Sequence, residues 1–355
     1  QTSVWKNAEV VSPEFPFDPV DTDTIERAAG LLRSGKKTAV ILGGRALRRQ
    51  GLEAASRIKA AAGCDLFAGS FPGYMERGAG FPDVVRIPYF PEGAIEMLSR
   101  YEAVILAGAK EPVTFFGYDG VPSFIIGQNQ QKVSIGMDKE DVTEAMGYLA
   151  DLLRAPKSTK ADTIVTKSNR PPLIEGALTP EKVCIILAAL QPEGAIIVDE
   201  GLTSTLSYYP LTAGLPPHSM MTIAGGSIGY GIPCSVGAAI ACPDRPVINL
   251  QADGSALYTL QGLWTEARES LNVTTLICSN RSYNILNMEL ARAGIESPGK
   301  SMQSLIGLDN PTIDWVNIAE GFGVPAVSVN TAEDLARELV KALAEPGPHL
   351  IEMIL

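Results

Sequence analysis

Residues 247–283 read VINLQADGSALYTLQGLWTEARESLNVTTLICSNRSY. Val247–Ala252 is a short apolar run and predicts a buried strand; Thr259–Glu269 predicts a helix; Val273–Ser279 is β-rich and predicts a second strand. A parallel strand–helix–strand crossover is right-handed and returns the second strand beside, or near, the first. Asp253 and Asn280 then fall just past the carboxyl ends of neighbouring strands. Open α/β sheets bind ligands along that edge.

The residues gathered there have a shared chemistry. A carboxylate, an amide oxygen and a backbone carbonyl from the loop after Asn280 make a hard, all-oxygen half-shell. Such a shell suits Mg²⁺, which takes one or two carboxylates and completes its octahedron with water and phosphate oxygens. The Gly254-Ser255 turn opens into the following helix, so its N–H groups and the Ser255 hydroxyl can meet a diphosphate. Taken singly, Asp-Gly is a turn signal and Ser-Asn a loop signal. Their spacing across one strand–helix–strand unit is what points to a magnesium diphosphate site.

ADGS, followed after the helix and strand by SNRSY, resembles the Gly-Asp-Gly to Asn-Asn signature of thiamine diphosphate-dependent enzymes, the superfamily of acetolactate synthase, benzoylformate decarboxylase and pyruvate decarboxylase. The resemblance extends over TIAGGSIGYGIPCSVGAAIACPDRPVINLQADGS and over the closing run from Ile313 to Leu355. It implies that Asp253 and Asn280 are side-chain Mg²⁺ ligands and that Ser282 supplies a carbonyl. Ala252 and Ser279 depart from the signature, but neither change removes a ligand.

The same resemblance populates the rest of a cofactor cradle. In GLTSTLSYY, Thr203 and Ser204 either contact the diphosphate or cap the next helix, within a window of Leu202–Ser204. Ala224–Gly229 precedes a helix of small residues, Tyr230–Ala241, in which close packing alone would also explain the glycines. By resemblance this loop, with Ser227, holds the aminopyrimidine: Gly226 offers a carbonyl to its amine, and Ile228 is the apolar wedge that bends the cofactor. Tyr283 completes the cofactor-side set with Gly254 and Ser255. Asn284, Leu286 and Met288 are substrate-side candidates near a helix expected over Asn287–Gly294.

Composition limits the alternatives. The 355 residues carry a formal charge of −11, which disfavours nucleic acid and anionic membrane as partners. An anionic cofactor must therefore be held by local dipoles and metal. No apolar segment reaches spanning length and no signal peptide is visible, and the five scattered cysteines read as reduced core thiols, so a cytoplasmic location is expected. His218 and His349 are too few and too separated for a histidine metal site.

Along the chain, helices at Thr24–Ser34, Gly51–Ala62, Ala94–Arg100 and Glu140–Arg154 alternate with strands at Thr38–Leu42, Asp65–Ala68, Ala103–Ala107 and Lys132–Ile135. This alternation predicts a doubly wound domain. A second begins with the helix Thr179–Leu190, started by Thr179-Pro180, and the strand Ala195–Val198, with Asp199-Glu200 just beyond it. The fold expected is α/β: two doubly wound domains with mainly parallel sheets flanked by helices. Their limits are a linker over 1–20, a Rossmann-like middle domain over 21–155, a polar linker over 156–175 and the diphosphate domain over 176–355. Gly43-Gly44 lacks the full Gly-x-Gly-x-x-Gly, so it reads as a tight turn, and no FAD is expected in the middle domain.

The superfamily places a pyrimidine-binding domain, with its activating glutamate, ahead of the middle domain. Nothing in residues 1–20 matches such a domain, and Gln1 is not an initiator residue, so the chain reads as a fragment that is inactive alone and self-associates as a homodimer or homotetramer. The implied activity is that of a thiamine diphosphate- and Mg²⁺-dependent lyase or transferase. It decarboxylates a 2-keto acid and protonates the product or joins it to a second carbonyl. Phe115 and Phe116 stand where some decarboxylase relatives place a histidine, which favours an acetolactate synthase-like carboligase over a benzoylformate decarboxylase-like enzyme. A non-catalytic cofactor-binding module and an NAD- or FAD-dependent oxidoreductase are the rival classes.

Overall fold

A computed structural model describes residues 17–137, 139–157, 165–295 and 297–355. Most of the linker expected over 1–20 and the centre of the one expected over 156–175 lie outside these ranges. In chain order the strands are β1 (Thr38–Leu42), β2 (Asp65–Ala68), β3 (Met75–Arg77), β4 (Val85–Arg86), β5 (Ala103–Ala107), β6 (Gln131–Ile135), β7 (Ile196–Glu200), β8 (His218–Thr222), β9 (Val247–Ala252), β10 (Val273–Ser279), β11 (Ala326–Val329) and β12 (His349–Ile354). They form a five-stranded sheet, β4-β2-β1-β5-β6, and a seven-stranded sheet, β11-β12-β10-β9-β7-β8-β3. Every pairing is parallel except that of β3 on β8.

Strands covered on both faces read as unbroken apolar runs, and TAVIL in β1 and AVILA in β5 are buried at every position. Helices flank both sheets and start where short polar side chains satisfy their free N–H groups. Asp21 caps Thr22–Arg33, Asp141 caps Val142–Leu152, Thr179 caps Pro180–Leu190 and Thr331 caps Ala332–Ala344.

Several boundaries differ from the sequence reading for identifiable reasons. Asp199 and Glu200 lie inside β7, because the parallel register continues through Asp199↔Leu250 and Glu200↔Gln251. The helix expected over Thr259–Glu269 is shorter, Gly262–Arg268, since the chain already coils at Asp253–Ala256 and turns before restarting. The helix expected over Asn287–Gly294 starts earlier and spans Asn284–Arg292. β3 comes from the first half of the chain yet edges the second sheet, a crossover that local periodicity does not reveal. One apolar cluster accordingly runs through both sheets, from Val40 and Leu66 to Met75, Met220, Leu250 and Leu276.

In the second sheet β7 lies between β8 and β9, so the chain leaves β7 in one direction and later resumes on its other side. Such a reversal opens a crevice at the carboxyl ends of the strands.

Candidate active site

The loops after β7, β9 and β10 meet at this crevice. Asp253 follows β9 and is 1% exposed. Its Oδ1 accepts the Gly254 N–H at 2.8 Å and its Oδ2 accepts the Arg281 N–H at 2.6 Å, which ties the loop after β10 to the turn after β9. Arg281 takes a left-handed φ of 56°, allowing the tight bend this contact needs. Asn280 Oδ1 accepts the Ser282 N–H at 3.0 Å, while its Nδ2 donates to Ser204 Oγ at 3.4 Å. Asp253, Asn280, Ser282 and Ser204 are thus brought together. Of the two roles open to Ser204, its hydroxyl faces the Asn280 loop and does not cap the helix Tyr208–Leu211.

Burial pushes the Asp253 carboxyl up to about 6, against the opposing pull of the Gly254 and Arg281 N–H groups. No cation figures among the groups acting on it. Among the described residues no three His, Cys, Asp or Glu side chains cluster as a metal site. A cation at Asp253 would therefore draw on amide, carbonyl and ligand oxygens.

Gly254 is needed for packing: a Cβ there would collide with the Tyr283 ring, which lies against it. The Ser255 side chain differs from expectation. It is 3% exposed, accepts from Gln251 Nε2 at 2.8 Å and donates to the Ala252 carbonyl at 3.2 Å, so its hydroxyl is used within the sheet rather than presented to a ligand. Thr203 is half-buried on the turn Leu202–Ser204, and Thr205, which the sequence reading did not single out, donates to Asp199 Oδ1 at 2.7 Å to brace that turn.

On the other side of the crevice, Ala224–Ile228 is exposed, with Gly225 and Gly226 both at φ 71°. Phe115 packs over Gly226, where a Cβ would lie 2.9 Å from its ring. Ser227 and Ile228 stand free, Ile228 being 45% exposed. Asn284 and Leu286 are exposed and Met288 half-buried on Asn284–Arg292. At the first sheet a cavity of about 680 Å³ runs from Gly43 and Gly44 to Phe115 and Gly225. Gly43 abuts the Gly108 carbonyl, so backbone crowding accounts for that glycine.

Residues 202–353 match the family model described as thiamine pyrophosphate enzyme, C-terminal TPP binding domain. The IlvX protein of Mycobacterium tuberculosis, provisionally named an acetolactate synthase large subunit, is 45% identical over 337 residues, which make up 95% of this chain and 64% of that protein. Over residues 202–353 the chain belongs to the thiamine diphosphate-dependent enzymes.

Within the superfamily, benzoylformate decarboxylase of Pseudomonas aeruginosa is 36% identical over 188 residues, 52% of this chain and 34% of that enzyme. The chain thus spans less than two thirds of the length of either relative. The fold is shared with a solved thiamine diphosphate-dependent 4-hydroxybenzoylformate decarboxylase of Rhodococcus jostii, at TM-score 0.76 and 23% identity, over 97% of this chain and 66% of that one. No helix among the described residues is long and apolar enough to cross a membrane.

Proposed function

We propose that this chain holds the diphosphate and Mg²⁺ of a thiamine diphosphate-dependent, acetolactate synthase-like enzyme that acts on a 2-keto acid as carboligase or decarboxylase. The observation that carries this reading is the convergence of Asp253, Asn280 and Ser204 at one sheet edge. The residues fit the group. The Asp253 carboxylate, the Asn280 amide oxygen and the carbonyls of the loop that both tie down form an all-oxygen donor set of the kind Mg²⁺ takes.

In this reading Asp253, Asn280 and the Ser282 carbonyl hold Mg²⁺. Thr203, Ser204, Gly254 and Tyr283 flank the diphosphate, with Ser255 joining them through its backbone N–H alone. Gly226, Ser227 and Ile228 take the pyrimidine side. When bound, thiamine diphosphate supplies the nucleophilic carbon that takes the acyl group of a 2-keto acid as CO₂ departs. The chain's own residues bind, orient and exclude water. The activating carboxylate that the superfamily resemblance implies is assigned to no residue here, and assembly as a homodimer or homotetramer is part of the proposal.

A second reading, a benzoylformate decarboxylase-like enzyme, draws support from the aromatic cluster beside Gly226. Phe115 stacks edge-on with Phe71 at 5.3 Å and lies 6.4 Å from Phe116, an apolar wall suited to an aryl side chain. Turnover of pyruvate against phenylglyoxylate separates the two readings.

The test of the site itself is calorimetric titration of thiamine diphosphate with Mg²⁺ into the protein and into Asp253→Ala. Saturable binding is expected in the parent, with a loss of roughly a hundredfold or more in the variant. No binding by the parent, or equal binding by Asp253→Ala, sinks the assignment.

A further inference from the structure

Glu200 ends β7 fully buried, and its hydrogen-bond partners are all N–H groups. Oε1 accepts the Gly229 N–H at 2.7 Å; Oε2 accepts the Gly231 N–H at 2.6 Å and Gln251 Nε2 at 3.0 Å. The two glycine amides bracket the exit of the exposed loop Ala224–Ile228 and the start of the helix Gly231–Ala241, where negative charge is favoured. From the opposite side Thr259 Oγ1 donates to the Gly229 carbonyl at 2.9 Å.

The loop exit has no room for a side chain. A Cβ on Gly229 would lie 2.7 Å from the Tyr258 Cβ, and one on Gly231 would collide with Gln251 Oε1. The carboxylate therefore grips the chain one residue beyond Ile228, whereas Ala224–Ile228 itself faces solvent. Asp253, Asn280 and Ser204 are held by other bonds.

We infer that Glu200 is a positioning residue for the pyrimidine half of the cofactor, an inference that rests on the thiamine diphosphate reading above. It fixes where Gly226 and Ile228 stand relative to the sheet edge and touches the diphosphate side only through Gln251, whose Nε2 donates to both Glu200 and the inward-turned Ser255 hydroxyl, so its direct grip is on the pyrimidine-side loop. The two halves of the ligand can thus be uncoupled by one substitution.

The experiment is a pair of calorimetric titrations, thiamine diphosphate with Mg²⁺ and inorganic pyrophosphate with Mg²⁺, into the parent and into Glu200→Gln. The variant sets an amide N–H₂ against backbone N–H groups. Thiamine diphosphate affinity is expected to fall roughly tenfold or more, while pyrophosphate affinity stays within about twofold. An equal loss of both ligands, or no loss of either, overturns the inference. If Glu200→Gln does not fold, Thr259→Val cuts the other anchor of the same loop exit and must show the same selective loss, about threefold. Asp253→Ala loses both ligands together, so failure of the site and failure of the positioning role give different patterns. A parent that binds neither ligand refutes the cofactor reading and this inference with it.

Discussion

Two buried carboxyl groups, one at the crevice and one on a helix beside the second sheet, show how hydrogen-bond supply sets charge. Asp253 accepts two backbone N–H groups, and burial raises it to about 6. Glu266, on the helix Gly262–Arg268, is 0% exposed with both oxygens unbonded, and burial alone pushes it from 4.5 to about 8. The folded protein thus keeps Glu266 neutral where the unfolded chain ionises it. Its folded pKa is raised, so its cost is absent below about 4.5, grows as pH rises, and is complete above about 8. Glu266→Gln is expected to be more stable than the parent by on the order of 2 kcal/mol at pH 8, with the difference vanishing at pH 4. Urea unfolding at the two pH values checks this; a pH-independent difference contradicts it.

At the scale of an element, the helix Asn284–Arg292 has no buried residue, although it directly follows the Asn280–Tyr283 loop. Its anchorage comes from the other half of the molecule. Tyr118 donates to Glu289 at 2.9 Å, the Arg292 guanidinium lies 3.7 Å from the centre of the Tyr118 ring, and Arg292 pairs with Glu92. Half-exposed ion pairs and cation–π contacts each give about 1 kcal/mol or less, so together they hold the helix against fraying without locking it. Arg292→Ala removes two of these contacts. Amide exchange across 284–292 should speed up roughly tenfold while β9 and β10 keep their protection; unchanged exchange in the helix would show that it is held otherwise.

At the scale of the whole molecule, Arg77 on β3 joins the two sheets. It is 3% exposed and donates to Thr212 Oγ1 at 2.6 Å, the Val84 carbonyl at 3.0 Å, Tyr209 Oη at 3.1 Å and Asp83 at 2.9 Å, with its guanidinium 3.9 Å from the Tyr209 ring centre. These bonds fasten β3 to the Tyr209–Thr212 segment ahead of β8 and to the Asp83-Val84 segment ahead of β4, so one side chain ties a strand of the second sheet to the edge of the first. The parent is expected to unfold in one transition. Arg77→Met leaves several acceptors unpaired and should cost roughly 3–5 kcal/mol, with β3 amides exchanging first. A loss under about 1 kcal/mol in chemical denaturation would show that the sheets are joined mainly by apolar contact.

The sequence by itself determined the local elements and their chemistry. β1, β2, β5, β9 and β10 have the limits that their largely apolar, β-rich runs predict, because strands covered on both faces are built mainly of apolar residues. Asp253 and Asn280 could be placed at one edge because a parallel crossover has one hand. Tertiary structure decided what depends on distant partners. The sequence shows hydroxyls at Ser204 and Ser255 alike, yet one faces the Asn280 loop and the other is drawn inward by Gln251. Glu200 reads as a loop carboxylate until strand pairing with β9 places it beneath Gly229 and Gly231. The pairing of β3 with β8 joins residues far apart in the chain, and three-residue strands carry no periodicity from which such a partner can be read. Hydrophobic pattern acts over a few neighbouring residues, whereas hydrogen-bond satisfaction in a buried sheet is settled by whichever groups the folded chain brings within reach.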